Sequence, residues 1–99
     1  MEKIVNNQTF IWDDVKNSIN RRKHGIDFED AAKIFADDNR IEFLDSLHSD
    51  EEDRYITIGR VRNILFVVYT EREDKIRLIT ARKANKEERE LYYAGGEDY

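Results

Sequence analysis

The fold of this chain is decided by a run of seven mostly apolar residues near its middle, Ile64-Leu65-Phe66-Val67-Val68-Tyr69-Thr70. A strand that is apolar on both sides is typical of the centre of a sheet whose two faces are both covered. Residues 54–60, which precede this run, alternate between apolar and polar side chains, and residues 75–82 follow it after a charged turn. Both segments predict strands beside the central one, and their short connections favour antiparallel pairing.

A fourth strand is predicted over residues 40–45, because Ile41 and Phe43 are spaced to share one face. Near the N-terminus, residues 9–12 are interpreted as either a short strand or an ordered lead-in to a helix. The four predicted strands together form an antiparallel sheet.

The first predicted helix covers residues 13–24. Asp13 suits its N-cap, because a carboxylate there accepts hydrogen bonds from the first backbone N–H groups. Gly25 suits the position that follows the last helical residue, and the basic side chains of the last turn complement the helix dipole. The apolar stripe of this helix, at i, i+3 and i+7, consists of Trp12, Val15 and Ile19.

Two further helices are predicted. One covers about residues 28–37 and has Asp27 as its N-cap. The other begins with a capping box formed by Asn85 and Glu88 and extends to about residue 94.

These elements predict an α+β fold with two N-terminal helices, a four-stranded antiparallel sheet and a C-terminal helix. The chain has 99 residues, no proline and no low-complexity linker, so one domain is predicted over residues 1–99. Residues 1–8 and 95–99 are expected to be frayed.

The composition excludes several classes of protein. With 39% hydrophobic and 11% aromatic residues, the chain is too apolar to be disordered. The absence of cysteine excludes disulfide bonds and thiolate chemistry. The four glycines form neither a dinucleotide-binding fingerprint nor a phosphate-binding loop, so no cofactor is predicted. No apolar run approaches the roughly 20 residues of a membrane span and no signal peptide is present, so we expect a soluble, cytoplasmic protein.

The net charge of −5 hides an asymmetry between the two halves of the chain. Residues 1–53 contain 14 acidic and 7 basic residues, whereas residues 54–99 contain 10 basic and 8 acidic residues. The second half can therefore present a local basic surface to phosphate groups. The alternative is that the charged residues of both halves simply form an ordinary solvated surface.

Three separated motifs resemble the BrnT family of toxins. The first reads Phe10-x-Trp12-Asp13-x-x-Lys16-x-x-x-Asn20-x-x-Lys23-His24-Gly25-Ile26-x-Phe28-Glu29-x-Ala31. The second reads Glu52-Asp53-Arg54-Tyr55-x-x-Ile58-Gly59, and the third reads Arg77-Leu78-Ile79-Thr80-Ala81-Arg82-Lys83-Ala84 followed by Glu88-Arg89-x-x-Tyr92. The motifs follow the order of the family and cover about residues 10–93, which is nearly the whole chain.

The resemblance implies the toxin of a bacterial type II toxin–antitoxin pair, a ribonuclease with a RelE-like fold that stops translation. It also implies a partner, the BrnA antitoxin, whose ribbon-helix-helix domain binds operator DNA so that the complex represses its own operon. The toxin is expected to reach this DNA only through the complex. The acidic net charge departs from the basic character that is usual for RelE-like nucleases.

RNA cleavage by such a protein does not require a metal. RNA carries its own nucleophile, the 2′-OH beside the scissile phosphate, so the protein must supply a base, an acid and cations for the developing phosphoryl charge. The two histidines, His24 and His48, lie on different predicted elements and show no metal-ligand spacing. We therefore predict a metal-independent endoribonuclease with no metal site.

Arg82 is the leading candidate for binding the scissile phosphate. It lies at the end of a predicted strand just before a helix, where a rigid scaffold meets an open surface. The RelE-like resemblance implies a phosphate-binding arginine at this strand end. A surface ion pair is the alternative. Arg77 is five positions away from Arg82, which predicts that it faces the opposite side of the sheet unless a bulge intervenes.

Three other basic residues are candidates in the second half. Arg54 begins a predicted strand and is assigned a catalytic role, although the acidic residues 50–53 before it also explain it as an ion-pair partner. Arg60, at the end of the same strand, and Lys83, next to Arg82, are predicted to bind RNA.

The candidates for proton transfer are His24, His48 and Tyr92, with Lys23 beside His24. Histidine is the default acid or base near neutral pH. His24 lies at the end of the first helix, where it could instead cap the helix carbonyls, and His48 lies in an acidic loop. The resemblance implies a catalytic or base-stacking role for Tyr92, and packing of the third helix is the alternative.

Two other functions are compatible with the sequence. The chain could be a non-catalytic module that binds an antitoxin and acts in operon autoregulation, which the negative charge favours slightly. Direct DNA binding by residues 13–37 as a helix–turn–helix is disfavoured, because acidic side chains on the second predicted helix would repel phosphates. These are Glu29, Asp30, Asp37 and Asp38.

Overall fold

The computed structural model describes residues 1–49 and 51–96, which form six strands, three α-helices and one 3₁₀ helix. The strands are β1 (Glu2–Val5), β2 (Gln8–Ile11), β3 (Ile41–Leu44), β4 (Arg54–Arg60), β5 (Ile64–Arg72) and β6 (Lys75–Lys83). The helices are α1 (Asp14–His24), α2 (Phe28–Ala32) and α3 (Lys86–Tyr93), with the 3₁₀ helix at Lys33–Ala36. The predicted α+β class is confirmed. No helix in the described part of the chain is long and apolar enough to cross a membrane.

The sheet differs from the prediction in its number of strands and in its pairing. Its order is β1-β2-β6-β5-β4-β3, and β2 pairs in parallel with β6 while the other neighbours are antiparallel. The predicted four-stranded antiparallel sheet corresponds to β3–β6, and the N-terminal hairpin adds two strands that make the sheet mixed.

The N-terminal residues were expected to be frayed, and this expectation is wrong. Residues 2–5 pair with β2 through a turn at Asn6 and Asn7, whose φ angles of 50° and 68° are those of a tight hairpin turn. The Met1 ammonium also donates a hydrogen bond of 2.8 Å to the carbonyl of Trp12. The pairing of β2 with a distant strand stabilises a hairpin that is too short to be recognised from its own sequence. Of the C-terminal residues expected to be frayed, 97–99 lie outside the described residues.

A β-bulge changes which side chains share a face of β6. Val68 pairs with Thr80 and the next residue, Tyr69, pairs with Leu78, so that Ile79 is the extra residue. The bulge shifts the alternation by one position, and Arg77 and Arg82 therefore lie on the same face. The expectation that these two residues face opposite sides is wrong for this reason.

The two faces of the sheet carry separate cores. The back face, with Leu65, Val67 and Tyr69 of β5, packs against α2 and the 3₁₀ helix. The front face carries Ile58 and Ile64, and it is covered at one end by α3. The central apolar run is thus buried on both sides, as its composition predicts.

α1 lies along the free edge of β6 and is anchored by a polar residue. The Asn20 amide donates to the carbonyl of Ala81 at 2.8 Å and accepts from its N–H at 3.1 Å, which completes the edge beyond the end of β2. Trp12 is buried, but Val15 and Ile19 are 68% and 48% exposed. Most of the apolar stripe of this helix therefore stays exposed, because the helix packs on a strand edge rather than on a sheet face.

The predicted helix termini are largely confirmed. Asp13 accepts from the N–H groups of Val15 and Lys16, and Asn85 and Glu88 form the expected capping box. The second helix is shorter than the predicted 28–37, because α2 ends at Ala32 and continues as the 3₁₀ helix. This tighter turn packs closely on β4, where a Cβ at Gly59 would lie only 3.1 Å from the Cβ of Ile34.

Candidate functional site

A row of three polar side chains crosses the front face of the sheet. Thr70 of β5 pairs directly with Arg54 of β4 on one side and with Arg77 of β6 on the other. Directly paired residues have Cβ atoms about 4.5–5.5 Å apart. The side chain of Thr70 is only 1% exposed, and its hydroxyl has no hydrogen-bond partner among the described residues. The row therefore consists of a threonine with an unpaired buried hydroxyl, flanked by an arginine on each neighbouring strand.

A depression of about 530 Å³ adjoins this row and is lined by His48, Glu51, Glu52, Arg54 and Arg72. The carboxylate of Glu52 lies 3.1 Å from Arg72 and 3.8 Å from Arg77. The guanidinium of Arg54 makes no hydrogen bond or ion pair within residues 1–49 and 51–96. The structure thus brings together two of the predicted residues, Arg54 and His48.

His48 lies on the rim of this depression and is largely exposed. Its Nδ1 is 3.0 Å from a carboxylate oxygen of Asp45, which orients the ring. The arrangement of a histidine ring beside a carboxylate leaves the other ring nitrogen available for proton exchange.

Arg82 lies further along the front face, opposite Phe66. The pair Phe66–Arg82 is four residues along β5 from Thr70, or about 13 Å. The guanidinium of Arg82 makes two hydrogen bonds to Glu88, of 2.7 and 2.8 Å, and lies 4.0 Å above the ring of Phe66. The ion pair that the sequence left open as an alternative is therefore present, and the catalytic role of Arg82 stays a prediction.

The pKa values at this ion pair reflect its hydrogen bonds. The hydrogen bond to Glu88 raises the pKa of Arg82, against partial desolvation. Burial alone would raise the pKa of Glu88, but hydrogen bonds from Arg82 and from the N–H of Asn85 outweigh it and lower that pKa. Both groups are charged at neutral pH, and Glu88 holds Arg82 in one orientation.

Lys23 and His24 line a different depression, of about 190 Å³, between α1 and the edge of β6. Ile79 and Thr80 form the strand side of this depression. In the described structure the His24 ring makes no hydrogen bond to the carbonyls of α1, so the helix-capping alternative is not supported. These two residues do not share the depression that contains Arg54 and His48.

Tyr92 and Arg60 line a third depression, of about 300 Å³. The hydroxyl of Tyr92 donates to Asp37 at 2.6 Å, and burial together with this carboxylate raises the pKa of Tyr92 to about 12. Tyr92 is therefore protonated at neutral pH, and its hydroxyl already has a partner. This geometry favours the packing alternative over a role as a base.

Asp37 is the centre of this arrangement. Besides Tyr92, the backbone N–H groups of Asn39 and Arg60 donate to its carboxylate at 2.9 and 2.8 Å. Desolvation is the largest single influence and would raise the pKa of Asp37, but these hydrogen bonds together lower it. Asp37 thus links β4, α3 and the segment after the 3₁₀ helix.

Lys83 lies apart from the other candidates. It pairs with Leu65, which faces the back core, and it lines a depression of about 400 Å³ together with Lys33 and Arg62. Lys83 and Arg82 therefore project to opposite faces, and the predicted site residues are divided among several depressions.

The sequence analysis did not identify Thr70 as a site residue, and it predicted that Arg77 faces away from Arg82, whereas the two share the front face. The signal for Thr70 was present, since it is the polar residue at the end of an otherwise apolar central run. The bulge that repositions Arg77 has no comparable signal. Among residues 1–49 and 51–96, no group of three or more His, Asp or Glu side chains is arranged to hold a metal ion.

Comparisons with family models and with solved structures both identify the same family of proteins. A family model described as the ribonuclease toxin BrnT of a type II toxin–antitoxin system matches residues 12–88, a segment that contains Arg54, Thr70, Arg77 and Arg82. The crystal structure of the ribonuclease toxin BrnT from Brucella abortus is similar, with a TM-score of 0.62 and 27% sequence identity over 78% of this chain and 96% of that chain. No curated protein sequence matches significantly.

Proposed function

Because this chain belongs to the BrnT family of ribonuclease toxins of type II toxin–antitoxin systems, we propose that it is an endoribonuclease that cleaves RNA on the front face of its sheet. One observation carries this proposal: the bulge at Ile79 brings Arg77 and Arg82 to the face that carries Arg54. Guanidinium groups held on a rigid sheet are well suited to phosphate, because their planar forks donate two hydrogen bonds at once.

The reaction that these residues support is transesterification without a metal. The 2′-oxygen attacks the adjacent phosphorus, the bond to the 5′-oxygen breaks, and a 2′,3′-cyclic phosphate forms. A base takes the proton of the 2′-OH and an acid protonates the leaving 5′-oxygen. The guanidinium groups stabilise the negative charge that grows on the phosphoryl oxygens.

Arg82 is proposed as the main ligand of the scissile phosphate. Glu88 occupies two of the five N–H donors of its guanidinium and fixes its plane over Phe66. A third N–H donates to the carbonyl of Lys83 at 3.2 Å, so two of the five donors remain available to a phosphate. A guanidinium that is already oriented loses little entropy on binding.

His48 shares a depression with Arg54 and is proposed to contact the RNA beside that arginine, about 13 Å along β5 from the phosphate at Arg82. Lys23 and His24 are proposed to contact the RNA backbone at the edge of β6. For Tyr92 we propose a structural role, since its hydroxyl is bonded to Asp37 and its raised pKa keeps it protonated. Arg60 lies beside Tyr92 and is proposed to bind RNA outside the cleavage site.

A type II toxin acts together with a protein antitoxin. We propose that this antitoxin is of the BrnA type, with a ribbon-helix-helix domain, and that operator DNA is bound only through the complex. We propose that the antitoxin contacts the exposed apolar side chains of Val15 and Ile19 on α1. We propose that the protein inhibits translation through transcript cleavage and that it acts in the cytoplasm.

A non-catalytic module that binds an antitoxin is the second candidate. The net charge of −5 and the carboxylates of Glu52 and Glu88 beside the front-face arginines favour it. It predicts binding of the antitoxin without any cleavage of RNA.

Induced expression with a pulse of radiolabelled amino acid separates the two candidates. An endoribonuclease stops protein synthesis within minutes of induction, and Arg82→Ala relieves the arrest. Arg62→Ala is the matched control, because Arg62 is an exposed arginine in the turn between β4 and β5. Primer extension on cellular RNA then locates the cuts. Continued protein synthesis with intact transcripts in the wild type would support the non-catalytic module.

A further inference from the structure

The unpaired hydroxyl of Thr70 requires a physical explanation. A buried hydroxyl without a hydrogen-bond partner destabilises the folded state, and such groups are rare in folded proteins. A valine would have the same shape and would not carry this cost. The hydroxyl is therefore unfavourable for folding in the free protein, and a ligand that accepts its hydrogen bond would remove the cost.

The two flanking arginines indicate what kind of ligand this is. Arg54 and Arg77 lie directly beside Thr70 on the two neighbouring strands, and Arg54 makes no ion pair in the described part of the chain. Within residues 1–49 and 51–96, the carboxylate that pairs with Arg77 is that of Glu52, at 3.8 Å and thus beyond hydrogen-bond distance. Two guanidinium forks and one hydroxyl donor match an anion with several oxygens in a tetrahedral arrangement, which is a phosphate group.

The carboxylate of Glu52 lies beside this row, at its Arg77 end. It is 3.1 Å from Arg72 and 3.8 Å from Arg77. The side chains of Glu52 and Arg72 are 41% and 50% exposed, and ion pairs this exposed contribute little to stability. A phosphate can therefore displace the carboxylate at little cost.

The row is also separate from Arg82. The two lie four residues apart along β5, about 13 Å, and Arg82 has its own carboxylate in Glu88. One RNA strand that crosses the front face would therefore place different phosphates at the two positions.

We propose that Arg54, Thr70 and Arg77 form a phosphate subsite for an RNA strand, and that the carboxylate of Glu52 competes with phosphate for this subsite. The proposal rests on the proposed function for the identity of the strand as RNA. It adds a second phosphate position and an internal competitor that limits binding in the free protein.

The test measures binding separately from cleavage. The probe is a fluorescein-labelled, eight-nucleotide RNA with 2′-O-methyl groups, which cannot be cleaved through its 2′-oxygen, and binding is followed by fluorescence anisotropy. Thr70→Val is expected to weaken binding about tenfold, the loss of one charge-assisted hydrogen bond, while Thr70→Ser retains the hydroxyl and binds like the wild type. Arg77→Gln is expected to weaken binding. It should also reduce, by about one, the slope of the logarithm of the binding constant against the logarithm of the salt concentration.

Glu52→Gln tests the competitor, and it is expected to tighten binding about threefold through loss of the competing charge. Arg62→Gln is the matched control and leaves binding unchanged. Wild-type affinity in both Thr70→Val and Arg77→Gln would overturn the subsite, as would a wild-type protein that does not bind the probe. Unchanged or weaker binding in Glu52→Gln would overturn the competition.

Failure of the proposed function has a different signature. In that case unmodified RNA stays intact with the wild-type protein, while binding of the 2′-O-methyl probe still depends on Thr70 and Arg77. If the wild-type protein cleaves unmodified RNA but probe binding does not depend on Thr70 and Arg77, the subsite alone is rejected.

Discussion

Replacement of Asn20 by alanine is expected to be the most destabilising polar substitution in α1. The amide of Asn20 makes four hydrogen bonds, which use all its donors and acceptors: it donates to the carbonyls of Ile26 and Ala81, and it accepts from the N–H of Ala81 and the hydroxyl of Thr80. Alanine leaves the N–H and the carbonyl of Ala81 without partners at a residue that is fully buried. Each unpaired group costs about 1–3 kcal/mol, so the free energy of unfolding should fall by about 3–4 kcal/mol.

Urea denaturation followed by circular dichroism measures this loss. A two-state domain of this size has a stability of about 5–15 kcal/mol, so Asn20→Ala should remain folded but with a clearly lower midpoint and an unchanged m-value. The melting temperature should fall by about 4–8 °C for each kcal/mol. Asn63→Ala, at an exposed asparagine in the turn after β4, is the control and should change stability by no more than about 0.5 kcal/mol. A loss below about 1 kcal/mol in Asn20→Ala would refute the view that this amide completes the edge of β6.

Three further substitutions have defined outcomes. Thr70→Val should raise the free energy of unfolding by about 1 kcal/mol in urea denaturation, because it removes an unpaired buried hydroxyl; a decrease would mean that the hydroxyl has a partner in solution. Gly59→Ala should lower it by about 1–3 kcal/mol, because the new methyl group would lie 3.1 Å from Ile34 in the 3₁₀ helix; an unchanged stability would show that the 3₁₀ helix can move away. Asp37 has a lowered pKa, since hydrogen bonds from Tyr92 and backbone N–H groups outweigh the opposing effect of burial. Its contribution to stability is therefore complete above its unfolded pKa of about 3.9 and is lost as the pH falls through the lower folded value. In acid titrations of stability, Asp37→Asn should be less stable than the wild type at pH 7 and should lose less stability below about pH 4; parallel curves for the two proteins would contradict this role.

The elements that could be predicted from the sequence are those whose cause is local. Asp13, Asp27 and Asn85 cap helices through hydrogen bonds to residues two or three positions away. The strands β4, β5 and β6 follow from apolar runs and alternation. The hairpin of β1 and β2 could not be predicted, because its stability depends on parallel pairing with β6, more than 60 residues away in the chain.

The candidate site was predicted in part. Arg54, His48 and Arg82 were chosen from residue type and from the resemblance, and the first two line one depression. The position of Lys83 on the other face follows from its ladder partner, Leu65. The two carboxylates that face the arginines, Glu52 and Glu88, could not be paired with them from the sequence, because such pairs depend on side-chain geometry across separate elements.

The sequence by itself determined the residue types, the local caps and the buried central strand, because these depend on interactions between near neighbours and on the apolar content of each segment. It also carried the family resemblance. Only the tertiary structure decided which charged groups act together, because one extra residue in β6, Ile79, reverses the face of every side chain beyond it. That single shift places Arg77 beside Thr70 and on the same side as Arg82, and long-range strand pairing rather than local sequence determines its position.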